Sequence, residues 1–311
     1  MDPWSQAVVR TVDALSPYVV SVTAVDPKET RATVGTGLVL DGRHVLIHAP
    51  LYTPGDRLSV AFPGGEHLEA DLVAADPLYL LAVLRLRGSV ELAPLPIAPR
   101  EEVRPGVIVL ALGNAFRTEC GVTMGVISAS DVTIYRPERF PVDGLIFTDA
   151  SIHPAAHVGG PLVSLEGRLV GINWMPWTNG LSMCVAAPVA LRLANQMLDY
   201  GRATHAWLGF SGDAEVIPPA MVTLLQLPAQ RGVAVKSVAE DGPGRRAGVQ
   251  VFDLVVAVDG QAVQSLGAIR QRLSLHRPGE TASLDVLRGS ELIELTIPVE
   301  EMPRLASSPW G

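Results

Sequence analysis

Short apolar runs, cut at close intervals by Gly, Pro and Asp, set the narrowest limit on how this chain can fold. VVSVTAV, TGLVLDG, RLSVAF, LAVLRL and VIVLAL are all rich in Val, Leu and Ile, and turn-forming residues stand between them. Runs this short and this rich in β-branched residues suit strands better than helices, which need a longer apolar stripe to bury a face. Up to about residue 188 the chain therefore reads as strands and turns closing into a sandwich or barrel.

Two stretches break that cadence. From Ser5 to Leu15 the apolar residues Ala7, Val8, Val12 and Leu15 fall at helical spacing, and Ser16-Pro17 ends the pattern. PVALRLANQMLDYGR, residues 188–202, puts Leu191, Ala194, Met197 and Leu198 on one face and has Gly201 as its stop. A boundary near residue 203 follows, giving expected domains over 1–202 and 203–302. Beyond it VAVKSV, DLVVAVDG, ASLDVLR and LIELTIPV read as strands, and Ser265 to Leu275 as a helix, which together make a small α+β domain. The last residues, 303–311, PRLASSPWG, are expected to form a flexible tail.

Composition excludes several classes. Apolar residues make up 48% and charged residues 18%, so a compact chain with room for interfaces is expected rather than disorder. A net charge of −8, with lysine only at Lys28 and Lys236, argues against nucleic acid or an anionic membrane as a general partner. Cys120 and Cys184 are the only cysteines, too few for a disulfide framework or a cysteine-rich zinc module. The first twenty residues lack the basic start and apolar run of a signal peptide, and no apolar run reaches the roughly 18 residues that span a bilayer. A cytoplasmic location and no cofactor are the corresponding expectations.

Six landmarks in order carry a resemblance to a known family. GTGLVL at 35–40, DPLYLLAVLRL at 76–86, LGNAF at 112–116, VTMGVIS at 122–128, TDASIHP at 148–154 and GGPLVSLEGRLVGIN at 159–173 resemble, in sequence order, segments of the HtrA family. That family joins a chymotrypsin-fold serine peptidase to a PDZ domain. The implied fold is mainly β: a chymotrypsin-like double β-barrel followed by a small α+β PDZ domain.

Such a peptidase needs a hydroxyl nucleophile, a histidine to take its proton and a carboxylate to orient the histidine. By the resemblance these positions fall on Val158, Pro50 and Leu80, none of which supplies the group required. The loop Ala155-Ala156-His157-Val158-Gly159-Gly160 is also one residue longer than the family pattern, so its backbone N–H groups are expected in a different arrangement. The expectation is a chain without peptidase activity, acting as a binding, scaffold or regulatory component.

Other chemistry at the same place is weighed beside that reading. His48 lies two residues before Pro50, and His153 and His157 lie in the lengthened loop, so three imidazoles converge on a possible transition-metal site; structural hydrogen bonding is the plainer role for them. No Asp or Glu completes a ligand set at a recognised spacing. Cys184 reads as a packed thiol or as a nucleophile paired with one of these histidines, while Ser151 sits too far upstream. Trp174 and Trp177 follow GIN, where aromatics either close a pocket, meet an apolar partner or simply pack.

In the second domain, GVAVKSVAEDGPGRRAGVQVFDLVVAVDGQAV resembles the PDZ signature, with WLGF at 207–210 as the carboxylate-binding loop and first strand. The resemblance implies a peptide site on Leu208, Gly209 and Phe210. Ile269 and Leu273, one helical turn apart, are either groove-lining or core residues. The implied partners are proteins or peptides with apolar C-termini. Self-association, as a trimer, is the further expectation, with Trp4 and Tyr18 near the N-terminal helix at the contact. Residues 211–231 form an insert, with prolines, that threatens to narrow the groove.

Overall fold

The computed structural model describes residues 1–114, 120–135, 141–227, 229–273, 276 and 279–302. The expected tail at 303–311, the end of LGNAF and the last residues of the 265–275 helix lie outside the described residues. The chain divides after Ala203 into two compact units.

The first unit opens with helix α1 (Pro3–Leu15), whose first turn is capped by the Asp2 carboxylate accepting from the Ser5 N–H at 3.0 Å, with Pro3 preset for helical φ. Trp4 stands exposed on it and Tyr18 is half-buried just beyond it. Six strands then close a barrel: β1 (Val19–Val25), β2 (Ala32–Val39), β3 (His44–His48), β4 (Arg57–Ala61), β5 (His67–Asp76) and β6 (Leu81–Leu86), in the order β1-β2-β3-β6-β5-β4. The apolar runs act with period two: Val20, Val22 and Ala24 of β1, and Ala82, Leu84 and Leu86 of β6, enter one core.

A second closed barrel follows from β7 (Ile108–Gly113), β8 (Gly121–Tyr135), β9 (Pro141–Thr148), β10 (Pro161–Ser164), β11 (Leu169–Pro176) and β12 (Ser182–Ala186), ordered β10-β11-β12-β9-β8-β7. Its core gathers Val109, Ala111, Ile127, Ile146, Leu162 and Val170, each burial of a large aliphatic side chain contributing roughly 1.5–3 kcal/mol. Helix α2 (Ala187–Tyr200) ends at Gly201, which holds φ +70° as a left-handed cap. The two barrels are pinned by polar contacts: Tyr79 Oη donates to the Asp143 carbonyl and accepts from its N–H, both at 3.1 Å, and Asn114 Nδ2 donates to the Val19 carbonyl at 3.1 Å.

The second unit contains β13 (Ala206–Trp207), β14 (Phe210–Val216), α3 (Pro219–Leu224), β15 (Arg231–Val238), α4 (Pro243–Arg246), β16 (Leu254–Val258), β17 (Gln261–Ala262), α5 (Leu266–Leu273), β18 (Thr281–Arg288), β19 (Glu291–Pro298) and β20 (Glu300–Glu301). Its main sheet runs β14-β15-β16-β18-β19, with β17 added to β16, while β13 pairs with β20. The mainly β architecture of two barrels and a small α+β unit is the one the sequence implied. Helix α5 packs against β14 and β16, and buries Leu266, Ile269 and Leu273 with Val233, Val235, Val255 and Val286. Of the expected insert at 211–231, residues 211–216 are β14 itself, and the part after it goes elsewhere. Ile217, Met221, Val222, Leu225 and Leu227 pack with Leu254, Val256 and Leu287, so α3 covers the sheet face opposite α5.

Candidate functional site

Residues 153–160 fold into a tight turn between β9 and β10, held through the carbonyls of His153, Ala156, His157 and Gly160. The N–H groups of Ala156 and His157 donate to the His153 carbonyl at 3.0 and 2.9 Å, and Gly160 N–H donates to that of His157 at 2.9 Å. Thr36, buried on β2, donates its hydroxyl to the Ala156 carbonyl at 2.6 Å and accepts from the Asn114 N–H at 2.9 Å. From β11, the fully buried Asn173 sends its side-chain amide to the carbonyls of Leu112, His157 and Pro161 at 3.1, 3.1 and 3.2 Å. The loop is held from both barrels at once.

Backbone contacts link the segments that carry the three sequence-identified positions. Ala49 N–H donates to the Leu80 carbonyl at 2.8 Å, placing Pro50 and Leu80 side by side, and Gly159, directly after Val158, lies against the Thr36 carbonyl and the His48 backbone. Pro50 is exposed in a 3₁₀ turn, Leu80 holds φ +53°, and Val158 is packed with Ala111, Ile152 and Cys184.

The histidines do not form a ligand set. His157 Nδ1 accepts from the His153 N–H at 3.1 Å, so its proton is on Nε2, and burial together with His153 holds it below the usual imidazole range. His153 itself is exposed, and His48 places its Nε2 in the interior with no partner. Among the described residues no group of His, Cys, Asp or Glu is placed to hold a metal ion. Burial raises the Cys184 thiol far above its usual range, and its Sγ donates to Asn173 Oδ1 at 3.6 Å, the setting of a packed thiol. Trp174 is buried, whereas Trp177 is exposed and meets Phe147 edge-on at 6.0 Å. Sequence reasoning missed Thr36 and Asn173, whose roles depend on partners far away in the chain.

Burial pushes the His48 imidazole down to about 4, from an ordinary 6.5. The unfolded chain therefore takes up a proton in a range where the folded chain does not, so stability is full above pH 6.5 and is lost as the pH falls toward about 4. Between pH 7.5 and 4.5 the native chain is expected to lose about 2 kcal/mol more than a His48→Gln variant. Thermal melts showing the same acid sensitivity for both would refute this.

In the second unit Leu208 and Gly209 lead into β14, which starts at Phe210, and Leu208 and Phe210 share one core with Ile269 and Leu273. Leu208 and Phe210 are buried, and Ile269 and Leu273 are fully enclosed. Gly209 has φ +64°, and a Cβ there would come within 2.7 Å of Gly242 and Pro243, so the backbone passes where only glycine fits. Carbonyls of Leu208 and Gly209 accept from the N–H groups of Gly244 and Ala239 at 3.0 and 2.8 Å. Among the described residues no acceptor takes the N–H of Leu208 or of Gly209. Two donors are thus left at the mouth of a strand whose outer edge pairs with nothing described.

Comparison with known proteins matches residues 29–172 to a family described as trypsin-like peptidase domain and residues 214–299 to one described as PDZ domain. A probable periplasmic serine endoprotease, DegP-like, of Halomonas elongata is 31% identical over 282 residues, covering 88% of this chain and 58% of the relative. Serine endoprotease DegS of Escherichia coli K12 is 29% identical over 280 residues, covering 87% and 78%. The chain spans just over half the length of the DegP-like relatives it matches. Among solved structures, an HtrA-type protease AlgW with tripeptide superposes with a TM-score of 0.71 at 26% identity, covering 96% of this chain and 98% of that one. A serine endoprotease from Yersinia pestis gives 0.63 at 27% identity, covering 97% and 99%.

These relatives correct two expectations. The expectation of a non-enzyme, drawn from Pro50, Leu80 and Val158, is overturned by serine endoproteases at about 30% identity over most of the chain, which point to a protease. Its physical weakness is that active groups are defined by the geometry a fold assembles, and motif positions counted across a lengthened loop do not supply that geometry. The cytoplasmic expectation is overturned by relatives named as periplasmic.

Proposed function

We propose, from the premise that this chain is an HtrA-family pairing of a trypsin-like peptidase domain with a PDZ domain, that its second unit captures the C-termini of polypeptides as an added strand on β14. The setting we propose is the periplasm, after the relatives so named, and the captured chains are those offered to a protease-type first unit. The observation that carries the reading is the pair of N–H donors at Leu208 and Gly209, beside an edge strand flanked by α5. A terminal carboxylate accepts from such donors with a charge-assisted bond, while the edge supplies the ladder and the α5 side takes the apolar terminal side chain.

Micromolar binding, near 8 kcal/mol, is expected for a short peptide that loses its freedom on ordering. Amidating the peptide terminus should weaken binding at least about tenfold, since a hydrogen bond to a charged group contributes about 1.5–3 kcal/mol. Titration of the full chain with free-acid and amidated forms of one peptide ending in an apolar residue checks this. Equal affinity would mean that the site does not read a terminus.

A further inference from the structure

Strand β14 has two different faces. Gly212 lies opposite Val235 and Ala214 opposite Val233, and both valines are fully buried, so with Phe210 they mark the core face. Ser211, Asp213 and Glu215 alternate with them and occupy the other face, where Ser211 Oγ meets Ser237 Oγ at 2.6 Å. Asp213 and Glu215 are exposed. Glu215 reaches Lys236 only at 3.7 Å, and Asp213 makes no ion pair among the described residues. Arg231, opposite Val216, falls by the same alternation on the core face and not beside these carboxylates.

A peptide added to β14 runs antiparallel to it, with its terminal residue beside Phe210 and its carboxylate at Leu208 and Gly209. Directly opposite residues point to the same face and lie within side-chain reach. Terminal and second-from-terminal side chains then face the core side. The residue three before the terminal one stands beside Asp213, and the residue five before it beside Glu215. Resting on the C-terminal reading above, we propose that Asp213 and Glu215 make this edge selective: it takes C-terminal segments with Lys or Arg three and five residues before the terminal residue. A carboxylate with no ion pair, as at Asp213, or with only a long one, as at Glu215, attracts a cation at an open ladder position beside it and repels an anion. Acidic residues on an edge strand also discourage pairing between copies of a protein, a role that implies no preference among peptides.

The test uses two fluorescein-labelled heptapeptides, both free acids ending in leucine, identical except for Lys or Glu at those two positions. Polarisation with the full chain at 50 mM salt is expected to show the Lys peptide binding about tenfold tighter, from opposite-charge pairs that each contribute up to about fivefold and like pairs that subtract. The gap should shrink at 500 mM salt by screening. Asp213→Lys/Glu215→Lys should reverse the order, and Asp213→Asn/Glu215→Gln should bind both peptides alike. Equal affinities in the native chain, with amidation still weakening both, would overturn the selectivity and leave the C-terminal site standing. If neither peptide binds, or amidation changes nothing, the C-terminal reading falls and the selectivity with it.

Discussion

Replacing Gly159 with alanine is expected to destabilise the first unit by about 2–5 kcal/mol. Gly159 has φ +89°, and a Cβ at that position would sit 2.3 Å from the Thr36 carbonyl oxygen and 3.2 Å from the His48 nitrogen. The left-handed backbone alone costs an L-residue roughly 1–2 kcal/mol, and forcing atoms into a packed site adds about 1–3. Neither neighbour has slack. Thr36 is committed through its hydroxyl to the Ala156 carbonyl, and Gly159 N–H donates to the Asn173 carbonyl at 2.8 Å. In a domain of this size the loss should appear as a drop of about 10 °C in melting temperature. A variant melting within about 2 °C of the native chain would show that the loop relaxes freely, contrary to its hydrogen bonding.

Arg288→Met is expected to cost the second unit about 3–4 kcal/mol. Asp253 is 1% exposed and its carboxylate is held by Arg288 through Nε and Nη2 at 2.7 and 2.8 Å; Nη2 also donates to the Gly248 carbonyl at 2.8 Å. The Gln250 N–H donates to the same carboxylate at 2.8 Å, so β18 and the turn before β16 close on one buried group. Removing the guanidinium strands a buried charge, which is the costly half of breaking an ion pair. Lysine should restore little, because it cannot offer a planar two-point fork. The double variant Arg288→Met/Asp253→Leu should recover part of the loss, and denaturant unfolding of the four chains gives the coupling. Equal stability of the native chain and Arg288→Met would mean that water already solvates Asp253.

What could be read from the sequence was local in kind. Apolar runs became β1, β4, β6 and β7 because alternation along a strand is written in neighbouring residues, and Gly201 ended α2 where a left-handed cap was needed. Closure into barrels could not be read from periodicity, which gives the face of a strand but not its partner; it came through the resemblance. The lengthened loop could be counted but not shaped, since Thr36 reaches Ala156 from about 120 residues away in the chain and Asn173 reaches Gly160 from about 13. The insert after β14 read as an obstruction because the sequence does not tell which sheet face α3 covers. Phe252 holds φ +75° with its side chain 86% exposed, and nothing in the structure explains the ring.

Barrel closure has a bearing on how this protein behaves in concentrated solution. Each of the twelve strands of the first unit has a neighbour on both sides, so that unit offers no template on which another chain could grow a ladder. Open margins of the larger sheet in the second unit are β14 and β19, and both carry carboxylates: Asp213 and Glu215 on one, Glu291 and Glu294 on the other. Two molecules meeting margin to margin would bring like charges together, so fibre-like growth is disfavoured and is eased by high salt, which screens them. Storage at low ionic strength therefore keeps four side chains on two strands at work against association.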